Sequence, residues 1–307
     1  MTDAARRLLL VHAHPDDECI NHGATMAKYV AEGCAVTLVT CTGGERGEIL
    51  VPELEHLAWD RENRLGEHRR GELADAMEIL GVTDFRFLGG FGTYSDSGMS
   101  WHPDGHAVAA DLVSDRAFWH ADLTEASDHL VAVIREVRPQ VLITYDQFGG
   151  YGHPDHIQAH RVATYAADLA AVPSYRPELG APWDIAKIYW GAIADSQMRE
   201  GLRSVRAAGN DEVFAPFDPE GALPPFVVAD ELVSTVIDAG AYASQKLNAL
   251  RAHRTQVTED SDYFAFSRVL GDQVLGVEHF RIAKGAPADL DANGIEVDLF
   301  AGLGPND

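Results

Sequence analysis

Two stretches of this chain carry side chains able to hold a metal ion and move protons: His14-Pro15-Asp16-Asp17-Glu18 and Tyr151-Gly152-His153-Pro154-Asp155-His156. Each follows an apolar run, Leu8–Val11 or Val141–Tyr145, and each leads into a helical pattern. Carboxylates and imidazoles at the end of a buried strand are expensive to desolvate unless they are paired or bind an ion. Two histidines and one carboxylate are a common ligand set for catalytic zinc, which keeps a further position for water, and ferrous iron accepts the same donors. His14, Asp17 and His156 are therefore read as ligands of one Zn2+, or Fe2+, per chain. Asp16 is left beside the ion, where a carboxylate can take a proton from bound water; exchanging the roles of Asp16 and Asp17 would preserve the chemistry. His153, one helical turn before His156, can face the same cleft. As an imidazolium it would stabilise an oxyanion or protonate a leaving amine, with Asp155 holding its charge state. The Tyr151 hydroxyl can polarise a substrate carbonyl, or its ring can simply pack in the loop. A plainer reading exists for each motif alone, because proline and an acid both suit the first turn of a helix. Two such motifs, each after a buried strand and each with a further ligand-type residue, favour a site. His12 is expected to face the packed side of its strand, and His22, His102, His106 and His120 to lie in loops or on the surface.

The elements that must bring these stretches together form an α/β pattern, a Rossmann-like doubly wound, mostly parallel sheet flanked by helices. Leu8–Val11 is a continuous apolar run of the kind found in a parallel strand covered on both faces. A helical stripe over 21–32 stops at Gly33, and Ala35–Thr40 is the second strand, so the first crossover is right-handed and parallel. A helix over 56–80, a strand over 85–88, a helix over 121–137, a strand over 141–145 and a helix over 154–171 continue the alternation. In a doubly wound sheet, ligands bind at the carboxyl ends of the strands beside the point where strand order reverses. If the strands at 8–11 and 141–145 flank that point, the two motifs face each other. The long segment 89–120 has little periodicity and is expected to carry substrate contacts. After a proline-rich linker (Pro173, Pro177, Pro182), a strand near 187–190 and helices over 196–208 and 231–252 are predicted. Residues 1–172 are thus read as the catalytic domain and 173–307 as a smaller C-terminal subdomain that helps to shape the cleft, with 240–256 packing back on the first.

The formal charge of −24, from 48 acidic and 24 basic side chains among 307 residues, argues against nucleic acid or an anionic membrane as partner. No stretch reaches the roughly 18 apolar residues of a membrane span, and Met1–Arg7 leads into a strand rather than a secretory signal, so a cytoplasmic protein is expected. Cys19, Cys34 and Cys41 show no metal-type pair spacing, which suits reduced thiols. Gly43-Gly44-Glu45-Arg46-Gly47-Glu48 lacks the Lys-Ser/Thr of a phosphate loop, and no Gly-x-Gly-x-x-Gly follows the first strand, so a nucleotide cofactor is disfavoured. A homo-oligomer is compatible with everything above.

The pair His14-Pro15-Asp16-Asp17-Glu18 and His153-Pro154-Asp155-His156 closely resembles the LmbE-like, or PIG-L, family of metal-dependent N-deacetylases acting on N-acetylglucosamine conjugates. Gly43–Gly47, Leu88-Gly89-Gly90, Asp96-Ser97-Gly98-Met99, Gly149–Gly152, Ala252-His253-Arg254-Thr255-Gln256 and Asp298–Leu303 are similar to the actinobacterial mycothiol branch of that family, nearly end to end. That branch implies a small amino-sugar inositol substrate and one of two activities: removal of acetate from N-acetylglucosaminyl-inositol in mycothiol biosynthesis, or amide cleavage of mycothiol S-conjugates. Asp96–Met99, Tyr151-Gly152-His153 and the absence of a lysine near Asn21 favour the deacetylase; Gly44–Leu50 and Ser244-Gln245-Lys246 resemble the amidase. The resemblance further implies that Arg69, Asp96 and Met99 contact the substrate, although from its position alone Arg69 is equally a solvated helix charge. Two other classes of function stand as rivals: a non-catalytic sugar-binding protein with a structural metal, and a nucleotide-dependent oxidoreductase.

Overall fold

A computed structural model describes residues 6–103, 106–110, 114–224 and 226–304. The start of the segment read above as the lead into the first strand, residues 1–5, lies outside them. Among the described residues there are ten strands: β1 (Arg7–His12), β2 (Ala35–Thr40), β3 (Asp84–Phe87), β4 (Met99–Trp101), β5 (Ala107–Ala109), β6 (Val141–Thr144), β7 (Lys187–Ala194), β8 (Val227–Val228), β9 (Thr235–Asp238) and β10 (Val277–Lys284). The helices are α1 (Asp17–Ala31), α2 (Leu65–Leu80), α3 (Leu123–Val137), the short turn α4 (Gly149–Gly152), α5 (Pro154–Ala170), α6 (Asp195–Ala207), α7 (Ala243–Ala252) and α8 (Asp262–Leu270).

The main sheet runs β3-β2-β1-β6-β7-β10-β9, with β8 paired to β7. Strands β3, β2, β1, β6 and β7 are parallel, and β10 pairs antiparallel with both β7 and β9. Alternate residues of β1 enter opposite cores. Leu8 and Leu10 join the layer built from α1, α2 and α7, while Leu9 and Val11 join that of α3 and α5. Burial on both faces explains the unbroken apolar run. Strands β1 and β6 are neighbours, so the reversal of strand order falls between them and both carboxyl ends open on one crevice.

Two expectations are corrected. Over 56–80 the chain forms a 3-10 turn (Pro52–Leu57) and an irregular stretch before α2 begins at Leu65, because 58–64 is charged and lacks an apolar stripe. Over 231–252 only α7 is α-helical, beside 3-10 turns at Asp230–Leu232 and Gly240–Tyr242; Thr235-Val236-Ile237 is β-branched, fits a pleated surface better than a helix, and pairs with β10. Beyond residue 172, β7, β10 and β9 extend the same sheet. Leu247, Ala249 and Leu250 of α7 pack with Ala24, Ala27, Leu73 and Met77 of α1 and α2.

The loop-rich tail is pinned by Glu296, which is fully buried under β7 and β9. Its carboxylate accepts from Lys187 Nζ at 2.5 Å, Thr235 Oγ1 at 2.8 Å and the Ala288 N–H at 2.9 Å. Replacing Glu296 with Ala leaves the Lys187 ammonium buried without a counter-charge, held by the Ala301 carbonyl at 2.7 Å, and is expected to lower stability by about 3–5 kcal/mol, measured by urea unfolding. A loss below about 1 kcal/mol would show that water reaches Lys187.

Candidate metal centre

Both motifs start helices at the carboxyl ends of adjacent strands. Asp16 precedes α1 in an unusual backbone conformation, φ 124° and ψ −33°, a region that costs a non-glycine residue about 1–3 kcal/mol and is retained where surroundings enforce it. His153 caps α5, its Nδ1 accepting the Asp155 N–H at 3.1 Å. Gly149 has φ 67°, and a Cβ there would lie 2.7 Å from that of His156, so only glycine permits this approach of loop to helix.

His14, Asp17, His153 and His156 are all buried. His14 Nε2 lies 3.1 Å from Asp155 Oδ2, leaving Nδ1 directed at Asp17 Oδ2, 3.2 Å away. His156 Nδ1 lies 3.2 Å from the Gly149 carbonyl, leaving Nε2 directed at Asp17 Oδ1, 3.3 Å away. His156 Nε2 is buried without a hydrogen-bond partner among the described residues. An imidazole braced through one nitrogen by a carboxylate or carbonyl, with the other nitrogen free, is the arrangement of a metal ligand. The donor set therefore fits a divalent ion. The ring nitrogens of His14, His153 and His156 also lie within 4.8 Å of one another, as do donor atoms of His14, Asp96 and Asp155.

Electrostatics sort the acids. Burial opposes ionisation of Asp17, but His156 and His14 outweigh it and hold the carboxyl well below the usual range. Burial, reinforced by Asp17 and opposed by Arg69, pushes Asp16 up to about 6. A protonated Asp16 cannot accept a proton, so if it is the base, turnover must be lost as the pH falls through its pKa, which a cation bound alongside brings below about 6. The expected acidic limb approaches tenfold per unit in a kcat/KM profile from pH 8 to 4; a profile flat over that whole range would exclude Asp16. His153 is driven well below the ordinary histidine value by burial and by the charges of His14 and His156. With Nδ1 accepting the Asp155 N–H, the neutral ring that burial favours carries its proton on Nε2. Tyr151 is held well above the usual phenol range, first by burial and then by Asp17 and Asp16, and so keeps its proton.

Asp155 meets His153 through its backbone N–H, and its carboxylate turns elsewhere. Its carboxylate accepts from the Ser97 hydroxyl and from the Ser97 N–H at 2.9 Å, and faces His14. Arg69 is 2% exposed. Its guanidinium pairs with Asp16 at 3.1 Å and donates to the Gly44 carbonyl at 2.8 Å and to the Pro15 carbonyl, so it braces the Asp16 turn and is not a solvated helix charge. Asp96 is likewise engaged, accepting the Arg46 N–H at 3.1 Å and the Gly98 N–H at 2.7 Å. Met99 is 37% exposed at the mouth. His12 is buried as expected; His22, expected on the surface, is buried too, 3.1 Å from His12 and stacked on Phe280. Sequence reading missed Tyr145, whose ring stacks on His156 at 4.2 Å, and Trp101, which stacks on Tyr151 at 5.9 Å. Tyr145 ends the apolar run before the second motif, and that position was its only signal.

Fold and site together define a class: the chain belongs to the PIG-L: GlcNAc-PI de-N-acetylase family, whose model matches residues 9–167. By family it is an N-deacetylase. Among its relatives, a protein of Nocardioides sp. named 1D-myo-inositol 2-acetamido-2-deoxy-alpha-D-glucopyranoside deacetylase is 70% identical over 97% of this chain and 99% of its own length. A protein of Kribbella flavida with the same name is 58% identical over 97% and 98%. Among solved structures, the N,N'-diacetylchitobiose deacetylase of Pyrococcus horikoshii superposes with a TM-score of 0.58 at 18% identity, covering 92% of this chain and 85% of that one. GalB, the 4-carboxy-2-hydroxymuconate hydratase of Pseudomonas putida, gives 0.57 at 19%, covering 94% and 100%. These likenesses show the fold alone, and a hydratase on the same fold shows why substrate must be argued from the site. Among the described residues, no helix is long and apolar enough to cross a membrane.

Proposed function

We propose that the chain removes acetate from 1D-myo-inositol 2-acetamido-2-deoxy-alpha-D-glucopyranoside, using one divalent ion, Zn2+ or Fe2+, held by His14, Asp17 and His156. The observation that carries the hydrolytic reading is the pair of braced imidazoles whose free nitrogens face the two oxygens of Asp17, with a second carboxylate, Asp16, alongside. An ion at that position would polarise the acetamide carbonyl and acidify a water molecule. Asp16, steadied by Arg69, accepts the proton of the attacking water. His153 Nε2–H and the Tyr151 hydroxyl donate hydrogen bonds to the developing oxyanion. The departing glucosamine nitrogen takes the proton that Asp16 has collected, because neutral His153 has no imidazolium proton to give. Met99 and Trp101, on one strand of the β4–β5 hairpin, wall the mouth where the inositol ring would lie.

The relatives support this substrate over an S-conjugate: those at 70% and 58% identity both carry the deacetylase name. Comparing amine release from N-acetylglucosaminyl-inositol and from a mycothiol bimane conjugate, with Zn2+- and Fe2+-loaded protein, tests the reading. Faster turnover of the conjugate would overturn it.

A further inference from the structure

Asp16 sits in a backbone conformation that L-residues rarely adopt, and two buried side chains from opposite ends of the sequence hold it there. The Asp16 N–H donates to Glu18 Oε2 at 3.0 Å. The other oxygen of Glu18, Oε1, faces His253 Nε2 at 2.8 Å. Glu18 and His253 are both fully buried. The second ring nitrogen of His253, Nδ1, has no hydrogen-bond partner among the described residues, so Glu18 is the polar contact that places this ring. His253 is in turn fixed by its backbone, which directly follows α7: its N–H donates to the Leu250 carbonyl at 3.1 Å and its carbonyl accepts from Val257 at 2.9 Å. Two residues on, Thr255 donates through its N–H at 2.8 Å and its hydroxyl at 2.7 Å to Glu72 of α2. The C-terminal half thus reaches the Asp16 turn through the His253 imidazole and Glu18.

We infer that His253 is a positioning residue for the reaction, orienting Glu18 so that its carboxylate holds the Asp16 backbone in the strained turn that aims the Asp16 side chain at the attacking water. Two groups then grip Asp16. Arg69 holds its side chain and the Pro15 carbonyl, while Glu18, itself set by His253, holds its N–H. A turn at φ 124° relaxes toward common backbone angles when one grip is lost, and small displacements of a reacting group are costly in rate. The inference rests on Asp16 acting as the base.

The test compares H253A, H253N and H253Q in the full-length, metal-loaded protein, with melting temperature, metal stoichiometry, kcat and KM measured for each. H253A should lose between about 10- and 100-fold in kcat, with KM and the single bound metal unchanged. H253Q places an amide N–H where Nε2 stands and should recover most of kcat; H253N, whose amide is too short to reach Glu18, should resemble H253A and replaces it if H253A does not fold. In a D16A background, H253A should change the residual turnover by less than about threefold, since the two act through one group. Near-native kcat in folded H253A or H253N would overturn the inference, as would a folded H253Q no better than H253N. So would a second equivalent of metal that disappears in H253A, because Glu18, Cys19 and His253 also lie within ligand distance of one another. If D16A itself turns over normally, it is the base assignment that fails; if D16A is slow and H253A is fast, only the positioning role fails.

Discussion

Replacing Asp16 with Asn is expected to lower kcat by about 100-fold or more, the usual range for losing an acid–base group, while the protein still binds about one equivalent of metal. Asn keeps an oxygen to accept from Arg69 and an unchanged N–H for Glu18, so both contacts that hold the turn remain while the ability to take a proton, and the charge facing Arg69, are removed. Asp16→Ala should be at least as slow and less stable, because it leaves the buried Arg69 guanidinium without its carboxylate. Turnover of either variant with N-acetylglucosaminyl-inositol, read beside metal content, checks this. Near-native kcat in D16N would remove Asp16 as the base and pass that role to Asp17, the exchange the sequence leaves open.

The second large effect separates the two imidazoles at the start of α5. Replacing His156 with Ala removes the nitrogen that is buried and unpartnered, and bound metal is expected to fall from one equivalent to under about a tenth, with turnover lost alongside it. Replacing His153 with Ala should leave metal content intact and lower kcat by about 100- to 1000-fold, the range for removing one donor to an oxyanion. Metal analysis after dialysis decides between them. If H153A loses metal as completely as H156A, the ligands are the three histidines that lie within 4.8 Å of one another, and Asp17 is a neighbour of the ion rather than a ligand.

Much of this site was legible in the sequence. The unbroken apolar runs of β1 and β6 required strands covered on both faces, and their motif-bearing ends met because strand order reverses between them. What escaped prediction depends on contacts between distant residues. Asp155 was paired with its neighbour His153, yet its carboxylate turns to Ser97 and His14, on loops that sequence spacing does not relate to it. Arg69 was read as a substrate contact or a solvated charge, and its pairing with Asp16 becomes visible only when α2 is laid against the Pro15 turn. His22 was assigned to the surface because the kink that buries it against His12 and Phe280 leaves no mark on the helical stripe. The strand at 235–238 was hidden by its helical surroundings, although its β-branched residues were the available signal.

The central claim is that one divalent ion is held between the ends of β1 and β6 by His14, Asp17 and His156. An anomalous difference map from crystals of the zinc-loaded protein, recorded at the zinc edge, tests it most directly. The account predicts a single strong peak about 2.0–2.2 Å from His14 Nδ1, a carboxylate oxygen of Asp17 and His156 Nε2, with Asp16 close by but not bound. A peak instead coordinated by Glu18, Cys19 and His253, or by His14, Asp96 and Asp155, would contradict it.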